Sequence, residues 1–179
     1  MFYREEEFEN ISETVVLVDY SPGYKLGDFD CGTSDYNEFL TYDAPLYIEQ
    51  NLCQVKLLLD KKNADIIGYI ALSSDSFVLD PDEKAKEGLK IPFNSVPALK
   101  IGKLAVSCNH KNQPYGSFLL GLALGYAEKL NAMGVGCRFI VVDADIEHNP
   151  RTPEFYKRNG FVYNEKMNHL KNKKQKHAL

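Results

Sequence analysis

A polar loop between a buried strand and a long helix contains the groups best suited to chemistry in this sequence. The segment 99–106 contains four large apolar residues with small Gly102 and Ala105 between them, which predicts a buried strand, and from Phe118 to Leu130 apolar residues recur with a helical period. The first backbone N–H groups of such a helix lack partners, and they attract anions such as a pyrophosphate. Because the loop, residues 107–115, is poor in glycine, an ordinary strand-loop-helix crossover is the alternative.

The same stretch resembles a family signature. Leu104–Gly116 is similar to motif A of the GNAT acetyltransferases, where a Leu-Ala-Val strand end leads into Arg/Gln-x-x-Gly-x-Gly/Ala and a long helix. Lys111 stands at the Arg/Gln position and Pro114 at the first glycine, and proline has no N–H to offer a cofactor. Gly116 keeps the second glycine, where the backbone has to approach a phosphate closely.

A second signature follows in the order usual for that family. Arg138–Asp143 is a β-branched run typical of a buried strand. Asn149–Phe161 is similar to Asn-x-x-Ala-x-x-Phe/Leu-Tyr-x-x-x-Gly-Phe, with Thr152 at the Ala position. Phe29–Gly32 resembles the opening of the GNAT branch that includes aminoacyl-tRNA-acetylating toxins, so the resemblance spans residues 14–161.

The resemblance implies an α/β architecture and an enzyme class. The expected GNAT fold is a central mixed sheet with helices on both faces, splayed between its fourth and fifth strands where the pantetheine arm lies. The expected activity is that of an N-acetyltransferase with acetyl-CoA as co-substrate and no metal. Before both signatures, the sequence predicts an antiparallel hairpin from 54–60 and 66–72 and a capped short helix in the charged insertion 80–90.

The resemblance also assigns roles to residues. Tyr156 is expected to donate a proton to the leaving thiolate, and Asn149 to hydrogen-bond the pantetheine. The alternative for Tyr156 is a core aromatic beside Phe155 and Phe161. The backbone of Leu104, Ala105 and Val106 is expected to polarise the thioester carbonyl. The pyrophosphate is expected to lie on the backbone of Lys111, Asn112, Gln113, Tyr115, Gly116 and Ser117, with Lys111 adding charge.

The acceptor stays open at this stage. A primary amine would attack the thioester directly in a ternary complex, and it could belong to a small molecule, a protein or an aminoacyl-tRNA. The aminoacyl-tRNA is indicated by two segments that resemble the toxin branch, Phe29–Gly32 and Lys103–Val106. The protein would then be a toxin, and its partner would be a ribbon-helix-helix antitoxin. A pI near 5.6 weighs against it, because tRNA affinity comes largely from neutralised phosphates. A non-catalytic domain that binds CoA or a partner is a further alternative function, and assembly as a homodimer is also left open. No general base is evident, since the acids and histidine at 143–148 are typical of a solvated loop.

The composition is that of one ordinary globular domain. The chain has 179 residues, of which 44% are hydrophobic and 26% charged. No apolar run approaches the roughly 20 residues that cross a bilayer, and the N-terminus lacks the apolar core of a secretory signal. We therefore expect a cytoplasmic protein. Its four cysteines have no paired spacing, which favours reduced thiols.

Charge divides the chain into three expected segments. Residues 1–12 are acidic with little apolar periodicity and predict a loosely held arm, and residues 13–165 would be the acetyltransferase domain. Residues 166–179 carry five lysines and predict a solvated tail, with a phosphate-binding arm as the alternative. Because this basic run begins only three residues after Tyr163, the sequence does not decide whether the last strand of the family is present.

Overall fold

A computed structural model describes residues 7–163 in full, the backbone of Glu5 and Glu6, and the backbone of residues 174–178. The strands are β1 (Val15–Asp19), β2 (Gln54–Asp60), β3 (Ile66–Val78), β4 (Ser95–Val106), β5 (Phe139–Asp143), β6 (Val162–Tyr163) and β7 (Lys174–Ala178). The helices are α1 (Glu5–Thr14), α2 (Ser34–Glu38), α3 (Ala44–Glu49), α4 (Pro81–Lys86), α5 (Tyr115–Ala132) and α6 (Thr152–Arg158). A π-helical turn, Phe39–Asp43, joins α2 to α3.

The chain forms two compact units, which are described separately. The first unit consists of residues 1–73 and 101–122, and the second of residues 74–100 and 123–179. Strands β3 and β4 each contribute one part to either unit.

The first unit is built on the strand order β1-β2-β3-β4. Strands β1 and β2 pair antiparallel, as do β2 and β3, which confirms the predicted hairpin. Its core contains Leu40, Leu57 and Tyr69, all fully buried. The Tyr69 hydroxyl donates to the carbonyl of Tyr36 at 2.9 Å, so the polar end of this core ring has a partner where α2 covers the sheet.

Helix α1 corrects the prediction of a loosely held arm. Ile11 is buried, and the ring of Phe8 meets that of Phe118 edge-on with 5.4 Å between centroids. Lys61 Nζ donates to the carbonyls of Ser12 at 2.9 Å and of Glu13 at 3.0 Å, which satisfies acceptors at the end of the helix. The helix is therefore stabilised by partners far along the chain, which its own weak apolar pattern does not show.

The second unit contains the strand order β3-β4-β5-β7-β6, in which β4 and β5 run parallel and β7 is antiparallel to both β5 and β6. Its core is formed by side chains from β3, β4 and β5, among them Phe77, Val96 and Phe139.

The sequence did not decide whether the last strand of the family is present. The structure contains such a strand, β7. Residues 174–178 of the expected tail are therefore part of the sheet, and residues 166–173 and 179 lie outside the described residues.

The charged insertion begins as predicted with a capped helix. The Asp80 carboxylate accepts from the Glu83 amide at 2.9 Å, and the Glu83 carboxylate accepts from the Asp80 amide at 3.0 Å.

The strands and helices together confirm the predicted mixed α/β architecture. The splay between the fourth and fifth strands and the three segment boundaries stay predictions. In the part of the chain that the structure describes, no helix has the length and apolarity needed to cross a membrane.

Candidate active site

The loop after β4 is fixed by backbone hydrogen bonds within the first unit. The amide of Ser107 donates to the carbonyl of Ile67 at 2.8 Å, and the amide of Cys108 donates to the carbonyl of Asp30 at 2.8 Å. The amide of His110 donates to the carbonyl of Ser107 at 2.9 Å, and the amide of Gln113 donates to the carbonyl of His110 at 3.1 Å, so the loop consists of two successive turns. These hydrogen bonds therefore fix the path of the backbone from β4 to the start of α5.

The first turn of α5 presents backbone amides ahead of its hydrogen-bond ladder. The ladder opens where the Phe118 amide donates to the Pro114 carbonyl at 2.9 Å, so the amides of Tyr115, Gly116 and Ser117 precede it. Pro114 stands where the family pattern has its first glycine. Its carbonyl accepts the first hydrogen bond of the helix, and that role needs no N–H. Because the Gln113 amide already has an acceptor in the loop, these three amides are the members of the predicted set that best fit an anion.

Lys111 links the two sequence motifs of the first unit. Its Nζ donates to the carbonyl of Cys31 at 2.7 Å, within the segment Phe29–Gly32. The carboxylate of Asp30 accepts from the Gly32 amide at 2.7 Å and from the Asn37 side chain at 2.9 Å. These two hydrogen bonds, and then the Lys111 charge, lower the pKa of Asp30. The lysine at the Arg/Gln position thus has a partner that the sequence motif did not suggest.

The segment of β4 expected to polarise the thioester packs directly on β3. Ala105 is buried, and a Cβ added to Gly68 would lie 2.7 Å from the Ala105 carbonyl oxygen and 3.5 Å from the Val106 Cα. Only glycine allows this approach without a backbone shift, and Gly68 is a supporting residue that the sequence did not single out. Beside this segment, Lys103 Nζ lies 4.4 Å from the centroid of the Tyr36 ring.

Tyr156 and Asn149 belong to the second unit. Tyr156 is buried on α6, and its ring contacts those of Phe155 and Phe161 edge-on at 5.2 and 5.3 Å between centroids. Asn149 is exposed just before α6, and its Oδ1 accepts from the Arg151 amide at 3.0 Å. A hydrogen bond from the Asn149 side chain to a ligand would therefore come from Nδ2.

The acidic stretch after β5 is largely exposed, and its side chains form hydrogen bonds within the loop. Asp145 Oδ2 lies 2.8 Å from His148 Nδ1, and Asp145 Oδ1 accepts from the amides of Glu147 and His148. Asp143 forms an ion pair with Lys100 at 2.8 Å. Within the described residues, no group of three or more His, Cys, Asp or Glu side chains could hold a metal ion.

The cysteine thiols are free in the structure. Cys31 and Cys137 are buried, and burial raises the pKa of both thiols and that of Cys53. Cys108 is exposed in the loop that follows β4. A raised pKa keeps a thiol protonated and a poor nucleophile, which agrees with a structural role for the three affected residues.

Comparisons with known proteins identify the family. The model of the acetyltransferase (GNAT) family matches residues 26–161, and no relative is found among curated proteins. One solved structure similar to this chain is that of AtaT complexed with acetyl-methionyl-tRNAfMet, with 25% identity over 83% of this chain and 86% of that chain and a TM-score of 0.71. Another is AtaTR bound with AcCoA, with 22% identity over 93% and 94% of the two chains and a TM-score of 0.73. A tyrosine-to-phenylalanine mutant of KacT has 21% identity over 92% and 95% and a TM-score of 0.75.

These findings confirm the predicted fold, enzyme class and co-substrate. The family match covers more than two thirds of the chain and includes both signatures, and the similar structures share the fold over nearly their whole length. The protein uses acetyl-CoA as acetyl donor. It belongs to the GNAT family of acetyltransferases.

Proposed function

We propose that this enzyme transfers the acetyl group of acetyl-CoA to a primary amine by direct attack in a ternary complex. The observation that carries the proposal is the family match over residues 26–161, because that range contains every residue to which the sequence assigned a role. The geometry of the loop after β4 adds support, since it presents three amides ahead of the ladder of α5.

Binding of the cofactor's pyrophosphate is assigned to the start of α5. The amides of Tyr115, Gly116 and Ser117 point in the direction in which the helix dipole favours negative charge. Gly116 lets the backbone approach a phosphate closely. Lys111 adds positive charge nearby while its bond to the Cys31 carbonyl keeps the loop in place. The Asn149 Nδ2 group is the proposed donor to the pantetheine.

The transfer step needs a polarised carbonyl and a proton for the leaving sulfur. In the proposed reaction the amine nitrogen forms a bond to the thioester carbon, and the carbon–sulfur bond breaks. Backbone N–H groups of Leu104–Val106 would stabilise the negative charge that develops on the carbonyl oxygen. The Tyr156 phenol would protonate the leaving thiolate, and the proton of the attacking amine would pass to water.

Removing the Tyr156 hydroxyl tests this assignment. In Tyr156→Phe the ring keeps its contacts with Phe155 and Phe161, so we expect an intact fold and a kcat lowered by about 100-fold or more, with little change in acetyl-CoA affinity. Tyr163→Phe is the matched control, because it removes a hydroxyl from the same unit at a residue without a proposed role. A kcat that falls equally in both variants, or in neither, would refute the role of Tyr156.

The amino group of an aminoacyl-tRNA is a second, more specific candidate for the acceptor. The observation that favours it is the similarity to AtaT, whose solved structure contains acetyl-methionyl-tRNAfMet. The segments of this chain that resemble the toxin branch of the family, Phe29–Gly32 and Lys103–Val106, agree with this candidate. If the protein is such a toxin, an antitoxin would be its partner, as AtaR is in the structure of an AtaT mutant bound to the AtaR C-terminus.

Salt dependence of tRNA binding tests this candidate. Phosphate contacts give an affinity that falls steeply with salt, so replacing basic residues near the C-terminus should lower both affinity and slope. Because β7 belongs to the sheet, substitution is preferable to truncation. The test variant replaces Lys166, Lys171 and Lys173 with Gln, and the control with the same charge change replaces the exposed Lys62, Lys86 and Lys90. Absence of acetylated product with aminoacyl-tRNA, alongside activity on another amine, would exclude this acceptor.

A further inference from the structure

A cavity of about 460 Å³ lies in the first unit beside the proposed pyrophosphate site. One wall is the segment Gln113–Tyr115, which leads into α5. Helix α1 forms another wall, through Glu7, Asn10, Ile11 and Thr14. The volume falls in the range of roughly 300–1,000 Å³ that is usual for small-molecule sites.

The wall formed by α1 is held in place by packing. Phe8 meets Phe118 edge-on, and a Cβ added to Gly121 would lie 3.3 Å from the Phe8 ring, so glycine gives this ring its room on α5. At the other end of α1, Lys61 binds two carbonyls. Because both ends of the helix are anchored, the cavity has two defined sides.

The lining chemistry suits a purine nucleoside. Asn10 and Gln113 both carry side-chain amides, which can pair bidentately with the N6/N7 edge of adenine. Ile11, Pro114 and Tyr115 offer apolar surface to the faces of a base. The Glu7 carboxylate repels a phosphate but can accept hydrogen bonds from ribose hydroxyls or an exocyclic amine.

We propose that α1 and the segment Gln113–Tyr115 together bind the adenosine end of CoA. The proposal rests on the proposed function, because a pyrophosphate at the start of α5 places the attached adenosine next to this cavity. Asn10 and Gln113 hold the adenine edge, and the Glu7 charge keeps the 3′-phosphate outside the cavity. Helix α1 is thereby part of the cofactor site, although it lies outside the range that the family model matches.

Titration calorimetry with three ligands tests the proposal. These are acetyl-CoA, S-acetyl-4′-phosphopantetheine, which lacks adenosine, and adenosine 3′,5′-bisphosphate, which lacks the acyl arm. Asn10→Ala is expected to weaken acetyl-CoA and the bisphosphate by about tenfold, as for the loss of a paired base edge, and to leave the phosphopantetheine unchanged. Gln113→Ala should act in the same way without altering the backbone. Glu9→Gln, a substitution on α1 outside the cavity lining, should bind all three ligands like the wild type.

The outcomes separate this proposal from the proposed function. Equal wild-type affinity for acetyl-CoA and the phosphopantetheine, or equal weakening of both by Asn10→Ala, would overturn the adenosine site alone. If acetyl-CoA fails to bind while the bisphosphate binds and is weakened by Asn10→Ala, the cavity assignment holds and the proposed function fails. If neither acetyl-CoA nor the bisphosphate binds the wild type, both the adenosine site and the proposed function are refuted.

Discussion

Replacing Gly68 with alanine should disturb the contact between β3 and β4 at the segment proposed to polarise the thioester. A Cβ at Gly68 would lie 2.7 Å from the Ala105 carbonyl oxygen and 3.2 Å from Leu119 Cδ1. A flexible side chain could turn away, but a strand carbonyl cannot, so β3 has to move from β4. Overpacking of this kind costs about 1–3 kcal/mol. The gain from a less flexible unfolded chain, about 0.4–1 kcal/mol, is smaller.

A neighbouring glycine provides the matched control. At Gly102, in β4, the nearest atom to an added Cβ is the Ala71 carbonyl oxygen at 3.8 Å, an ordinary contact. Gly102→Ala therefore changes the unfolded chain in the same way without the clash, and its stability should equal or slightly exceed that of the wild type.

Urea unfolding and steady-state kinetics on both variants measure the effect. We expect Gly68→Ala to lose about 1–2 kcal/mol of unfolding free energy and to show a lower kcat, because the Ala105–Val106 backbone shifts. Wild-type stability and kinetics in Gly68→Ala would refute the reasoning that glycine is needed here. Equal losses in Gly68→Ala and Gly102→Ala would do so too, since only one of the two sites has a clash.

Three further predictions concern the loops and caps. Lys111→Met removes the ammonium that binds the Cys31 carbonyl, so amide hydrogen exchange at residues 29–32 should become faster; unchanged exchange would contradict the link. The pKa of Asp30 is lowered, first by its hydrogen bond from the Gly32 amide, so its ionised form stabilises the fold above the ordinary value of 3.8 and that contribution is lost as the pH falls below it. Unfolding followed from pH 6 to pH 2 should show this loss in the wild type and less of it in Asp30→Asn, and identical pH profiles would count against it. Asp80→Ala should cost about 1 kcal/mol in urea unfolding through loss of the capping box, and an unshifted midpoint would exclude that role.

The local sequence pattern was enough to predict the elements that are stabilised mainly by their own residues. Strand β2 matches the predicted range 54–60, because the apolar residues Val55 and Leu57–Leu59 mark it between polar ends. Strand β3 extends past the predicted end at residue 72 to Val78, where alternation continues with Phe77 buried. The capped start of α4 could also be predicted from the sequence, because Asp80 and Glu83 have the spacing of a capping box.

The elements that escaped prediction depend on distant partners. Helix α1 has only two described side chains that pack, Phe8 and Ile11, and its other anchors come from Phe118 and Lys61. Strand β7 has a polar sequence, Lys174–Ala178, and it is defined by backbone pairing with β5. Pairing between strands far apart in sequence leaves no trace in a polar segment.

The candidate site was predicted in part. The motif after β4 and the signature at α6 fall on a loop and a helix as expected, and the roles of Tyr156 and Asn149 stay predictions. The partner of Lys111 lies 80 residues earlier in the chain, at Cys31, and no spacing rule could have found it. Gly68 was missed for the same reason, since its constraint is the backbone of another strand.

From the place of β7 between β5 and β6 we expect an order of folding. Strands β1, β2 and β3 are consecutive neighbours and can zip together from local contacts, whereas β5 and β6 meet only through a strand that comes later in the chain than either. Until that strand arrives, β5 exposes an unpaired apolar edge of the kind that chaperones recognise and that seeds aggregation. Newly made protein should therefore be most vulnerable in its second unit while its first is already assembled.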